Sequence, residues 1–206
     1  SSGSGSSGGV GTTKTLVRFQ PDGQIDTGFA HEGTVTGDII AVLDDGKLLV
    51  GAERGGASGS SYTTTITRLN ADGSLDASLD QDGVLEIDHA ASFIDVQADG
   101  KLLVGYNAFG DASSSSIAHF NLARYTTNGV LDTTFSDDGV VETDFMANAA
   151  EVVSINDAGQ ILVRIIDFPG SGSSGSGSSG GAGTTTTLVR FQPDGQIDTG
   201  FAHEGT

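Results

Sequence analysis

LARYTTNGVLDTTFSDDGVVETDF, residues 122–145, is the stretch that decides the fold. The run up to Asn128-Gly129 reads as a strand entering a tight turn. Glycine after Asn or Asp supplies the positive φ that such a turn needs. A second turn signal, Asp138-Gly139, is followed by a short β-rich run, VVETDF (140–145). The segment recurs as LVRFQPDGQID (16–26), ITRLNADGSLD (66–76) and LVRFQPDGQID (188–198). The aligned arginines, Arg18, Arg68, Arg124 and Arg190, are spaced 50, 56 and 66 residues apart. A degenerate period of 50–66 residues, nested in a nearly perfect one of 172, is the mark of a repeat architecture.

A second element lies between these segments. DIIAVLDDGKLLVG (38–51) matches FIDVQADGKLLVG (93–105) and, more loosely, EVVSINDAGQILVR (151–164). Each is predicted to be a hairpin closed at Asp-Gly or Ala-Gly. Leu48–Val50 and Leu102–Val104 are apolar at every position, as in strands covered on both faces by neighbouring sheets. No helical period of useful length is present. The middle unit then holds four strands: FIDVQ, KLLVGYN, AHFNLARYT and VVETDF. An all-β repeat of this size with four antiparallel strands is expected to be a propeller blade.

The combination LARY…LDTTF…DGVVETDF with the two DGKLLVG runs resembles the delta-60 repeats, a bacterial β-propeller repeat of unknown function. That resemblance covers most of the chain outside its Gly/Ser tracts. It implies a propeller-like fold in large secreted or surface proteins, and it implies no enzymatic activity. The third unit departs from the pattern, with Asn156-Asp157-Ala158-Gly159 at its turn and Arg164 after its strand.

The expected organisation is a half unit with a Gly/Ser tract (1–36) and three units (37–88, 89–148 and 149–206). Residues 1–34 and 173–206 are the same cassette, differing only at Val10/Ala182 and Lys14/Thr186. The first cassette has no hairpin before it, so its sheet edge is left open, and open edges invite pairing with other chains. Three arrangements answer that edge: a window on a longer array of such units, a protomer completed head to tail by a neighbour, or a small ring closed on itself. In the first two the contact is heterologous and propagates. Residue 1 is Ser and no secretory leader is visible, which reads as a mature product or a piece of something longer.

Composition narrows the partners. Nine Lys and Arg against 27 Asp and Glu give a net charge of −18 and a pI near 4.1. Such a chain repels phosphate, so nucleic acid and anionic lipid are not expected partners. No apolar run of about 18 residues exists to cross a membrane as a helix. Cysteine is absent, so no disulfide or thiol chemistry arises. These features fit an extracellular or cell-surface setting.

Each Arg precedes an Asp by eight residues: Asp26, Asp76, Asp132 and Asp198. A pair repeated in every unit is expected to be structural, tying the Arg strand to the chain after its turn and fixing register. Ser78, Asp80, Asp82 and Glu86 form a candidate calcium loop: alternating oxygens, Gly83 for the bend, then a later carboxylate. Calcium is the one candidate cofactor. His31, His89, His119 and His203 lack zinc spacing and read as exposed loop histidines. The acidic residues define no glycosidase couple, and no catalytic triad can be assembled.

The insertions 51–62, 107–116 and 167–183 fall at one place in each unit and should share one rim. They read as solvated loops, or as arms against the next unit, and their Ser and Thr suit O-linked sugar. Gly3-x-Gly5-x-x-Gly8, Gly175-x-Gly177-x-x-Gly180 and Gly5-x-Ser7-x-Gly9 copy nucleotide and hydrolase motifs without the helix those motifs need. The expected role is a structural, non-enzymatic module that joins copies of itself head to tail into a filament, sheath or adhesin stalk. The alternative is a lectin-like or calcium-dependent binding propeller that takes glycans on its loop face.

Overall fold

A computed structural model describes residues 14–55, 62–109, 118–168 and 184–202. The Gly/Ser tracts, their motif-like glycines, Val10, Ala182 and His203 lie mostly or wholly outside the described residues. Everything described is strand, turn or loop, in thirteen strands that form four antiparallel sheets.

The first sheet pairs β1 (Thr15–Val17) with β2 (Thr34–Thr36). The second is a meander of β3 (Asp38–Val42), β4 (Leu48–Gly55), β5 (Tyr62–Leu69) and β6 (Val84–Ile87). The third repeats it with β7 (Ala91–Val96), β8 (Leu102–Phe109), β9 (Ala118–Tyr125) and β10 (Val140–Met146). The fourth contains β11 (Ala149–Ile155), β12 (Ile161–Asp167) and β13 (Thr185–Phe191). The two complete sheets have the four-stranded layout of propeller blades. Among the described residues the fourth sheet has three strands, where the sequence leads one to expect four.

The hairpins close where the Asp-Gly signal places them. Leu43 N–H donates to Lys47 O at 2.8 Å, and Gly46 N–H returns to Leu43 O at 2.9 Å. The Asp45 carboxylate accepts the Lys47 N–H at 3.1 Å, an Asx turn that stiffens the loop. Gln97–Lys101 and Asn156–Gln160 form the same backbone pair. The opening strand of each hairpin carries a register shift, within 39–41, 91–93 and 152–154, so a bulge recurs at one place in the blade.

Packing between sheets follows from the two-residue strand period. In β8, Leu102 and Val104 point toward the second sheet, while Leu103 joins the core shared with the fourth. In β4, Leu49 faces the third sheet and Val50 faces the first. The second and third sheets are thus each sandwiched by their neighbours in chain order, which is why the Leu-Leu-Val runs of β4 and β8 have no polar face.

The departure of the third unit has a local cause. Arg164 stands where the other units have Gly51 and Gly105. A Cβ on Gly105 would lie 2.2 Å from the Phe93 ring, which fills that space. In the third unit Glu151 stands opposite instead, and it pairs with Arg164 at 2.6 Å.

Candidate functional site

Four copies of one node join the strands and the turns. Arg68 Nε donates to Asp76 Oδ2 at 2.8 Å, and Arg124 Nε donates to Asp132 Oδ2 at 2.8 Å. Arg18 reaches Asp26 at 2.9 Å, and Arg190 reaches Asp198 at 2.6 Å. The other carboxylate oxygen accepts from the residue two further on. Ser78 gives both its N–H and its hydroxyl to Asp76, and Thr134 does the same for Asp132. Gly28 and Gly200 give only their N–H groups. A further donor comes from the start of the second strand of the blade. Lys47 Nζ lies 3.1 Å from Asp76, Lys101 Nζ lies 3.1 Å from Asp132, and Gln160 Nε2 lies 3.1 Å from Asp198.

This donor set controls protonation. The Ser78 hydroxyl holds the Asp76 carboxyl well below the usual carboxylate range, against the opposing effect of burial, with help from Ser78 N–H, Lys47 and Arg68. At Asp132 burial pushes upward most strongly, yet Thr134, Lys101 and the Arg124 charge together prevail and hold the carboxyl low. Both carboxylates are thus held ionised at neutral pH, with their oxygens occupied by the Arg, Lys and Ser or Thr donors.

The guanidinium also crosses to the next sheet. Arg68 Nη1 donates to Thr127 O at 2.5 Å and Arg124 Nη1 to Pro193 O at 2.5 Å, while Arg18 Nη1 donates to Ala71 O. A second bond runs beside each. Ala30 N–H donates to Asp72 O at 3.0 Å, Asp80 N–H to Asn128 O at 2.9 Å, and Ser136 N–H to Asp194 O at 2.8 Å. The three donors share a left-handed backbone, with φ of 45°, 45° and 50°, which aims each N–H outward at the neighbouring turn. That turn needs glycine for two reasons. Gly73 has φ of 87°, and a Cβ on it would lie 2.3 Å from Ala30 N. Three sheet-to-sheet joints therefore use one pattern: two hydrogen bonds and a glycine under the preceding unit.

At the two ends the pattern is half present. Among the described residues nothing lies within 4 Å of a Cβ built on Gly23, whereas Gly195, in the same sequence, is covered by Phe135 and Val141. Val17 and Phe19 are 41% and 61% exposed, while their cassette counterparts Val189 and Phe191 are both 0% exposed. At the other end Leu188 is 41% exposed, against 0% for its counterparts Ile66 and Leu122. Arg190 and Ala202, the counterparts of Arg124 and Ser136, meet no turn carbonyl among the described residues.

The candidate calcium loop is not assembled. The Ser78 hydroxyl donates to Asp76 and accepts from Arg68 Nη2 at 2.8 Å, a cation where a metal would need an open lone pair. Asp82 caps the Val84 N–H at 2.8 Å, and Glu86 lies exposed on β6. Among the described residues no group of three or more His, Asp or Glu side chains could hold a metal ion. The histidines divide: His31 and His89 are exposed, with His89 stacked on Tyr106 at 4.3 Å, but His119 is half-buried on β9 rather than in a loop.

Sequence reasoning found the Arg–Asp pairs but not the Lys and Gln donors, although the repeated DGK of residues 45–47 and 99–101 carried that signal. It also missed the crossing Nη1 bond, because spacing along one chain segment does not say which carbonyl lies beyond it.

Residues 2–29, 43–79, 97–135 and 174–201 match a family described as "Domain of unknown function (DUF5122) beta-propeller". No curated protein matches the chain.

Proposed function

We propose, for a chain that belongs to the DUF5122 beta-propeller family, a structural role in which blade-like units join further units of the same kind end to end. One observation carries this reading. The same cassette buries Val189 and Phe191 completely at one end and leaves Val17 and Phe19 exposed at the other. Identical residues favour the same cover, and the exposed apolar surface of Val17 and Phe19 favours association. The end faces are polar opposites, one offering N–H groups and the other carbonyls, so the contact is head to tail and repeats. An array of this kind fits a filament, a sheath or the stalk of a surface adhesin. The acidic composition and the absence of cysteine are compatible with an extracellular site.

Sedimentation velocity over a wide range of protein concentration tests the role, with electron microscopy of the same samples. Mass that rises with concentration, in elongated particles, is the expected result. A single compact monomer at every concentration contradicts it.

A further inference from the structure

We propose that the head face, formed by Val17, Phe19, Ile25 and the turn Pro21–Gly23, is a docking surface for the tail face of a second copy of this chain, formed by Leu188, Arg190, Phe201 and Ala202. This rests on the head-to-tail reading above and names its surfaces.

The contact is continuous with joints already in the molecule. At the joint between the third and fourth sheets, Arg124 Nη1 and Ser136 N–H donate to Pro193 O and Asp194 O, and Phe135 covers Gly195. Pro21, Asp22 and Gly23 are the same residues as Pro193, Asp194 and Gly195. On the tail, Arg190 stands where Arg124 does, Ala202 where Ser136 does, and Phe201 where Phe135 does. Arg190 lies over the Phe201 ring at 4.5 Å, as Arg124 lies over Phe135 at 4.5 Å, so the donor is already aimed. Ala202 has φ of 49°, the left-handed value of the internal donors.

Docking would pair Arg190 Nη1 with Pro21 O and Ala202 N–H with Asp22 O. It would place Phe201 over the open side of Gly23 and cover Phe19 and Val17 with Leu188. The tail residues have already shown what they bind. Leu16, Arg18, Phe29 and Ala30, their cassette counterparts, pack on the second sheet through that same bond pair. A second copy is the occupant because its tail carries the register of two donors and one aromatic ring that the internal joints use. Among the described residues both faces are open, so docking displaces none of them.

The test is a mixing experiment by sedimentation, at about 0.15 M salt or more to screen repulsion between acidic copies. Phe19→Asp blocks the head and keeps the tail, and Leu188→Asp blocks the tail and keeps the head. Ala202→Glu is a second tail block at an exposed position, and circular dichroism checks that each variant is folded. Wild type is expected to associate, each variant alone to be monomeric, and a 1:1 mixture of a head block with a tail block to give a species of twice the monomer mass that grows no further. If wild type associates while the variants associate equally well, or the mixture stays monomeric, this joint is wrong and the broader assembly reading survives. If wild type is monomeric throughout, both are wrong.

Discussion

Phe19 and Phe191 are one residue in one local sequence, and truncating each to Ala isolates what the surroundings contribute. Phe191 is 0% exposed and sits in the core with Val189, Ile161, Leu122 of the third sheet and Phe135 of the β9–β10 connection. Removing a fully buried ring costs its transfer free energy and leaves a cavity, about 3–5 kcal/mol for Phe→Ala. Phe19 is 61% exposed, and a change at such a surface position costs about 0.5 kcal/mol or less. Secondary-structure propensity and unfolded-state effects are nearly equal in the two variants, because the flanking residues LVRFQPDGQID are the same. In a chain of this size each kcal/mol moves the melting temperature by roughly 2–4 °C, so Phe191→Ala should melt roughly 6–20 °C lower and Phe19→Ala within about 2 °C of wild type. Urea unfolding at low protein concentration, followed by circular dichroism, gives the same comparison with association suppressed. Repeat arrays can unfold in steps, so the fourth-sheet transition should be the one that moves. Equal losses in both variants would refute the claim that the head cassette lacks the cover its counterpart has.

Arg124→Met strips a buried carboxylate of its main partner and severs the bond to Pro193 O; a loss of about 3–5 kcal/mol is expected in chemical denaturation, against about 1 kcal/mol or less for Arg18→Met at its more exposed pair. Acid should destabilise the fold through Asp76 and Asp132. Their folded-state pKa values lie below the unfolded value near 3.9, so their contribution is complete above that value and is lost as pH falls through the folded pKa. Melting temperatures should stay level from about pH 7 to pH 5 and fall below about pH 4, and Asp76→Asn should flatten that acid limb while lowering stability at neutral pH. Calcium at about 1 mM should shift the melting temperature by no more than about 1 °C, because Ser78, Asp80, Asp82 and Glu86 do not converge; a larger rise would revive the binding-module reading.

Much of the blade was legible in the sequence because its signals are local. Asp45-Gly46 and Asp99-Gly100 fix the hairpins β3–β4 and β7–β8, and the all-apolar Leu102–Val104 announces cover on both sides. What lay beyond was a matter of neighbours. The strand period assigns Leu103 and Val104 to opposite faces, but it does not say that one meets the fourth sheet and the other the second. The calcium pattern has a second reading that letters alone do not separate: short oxygen side chains near a glycine serve equally to cap their own backbone, as Asp82 does with Val84. The cassette repeat was visible as letters. Only the structure distinguishes a covered Gly195 from an open Gly23.

The most direct test is amide hydrogen exchange measured at low and high protein concentration. The two cassettes yield identical internal peptides, but fragments that include Lys14 or Thr186 separate them by mass. Protection that rises with concentration in the Lys14-containing head fragment and around Leu188–Ala202, and nowhere else, is what head-to-tail docking predicts. Exchange at Val17–Gly23 that is fast and independent of concentration would contradict it.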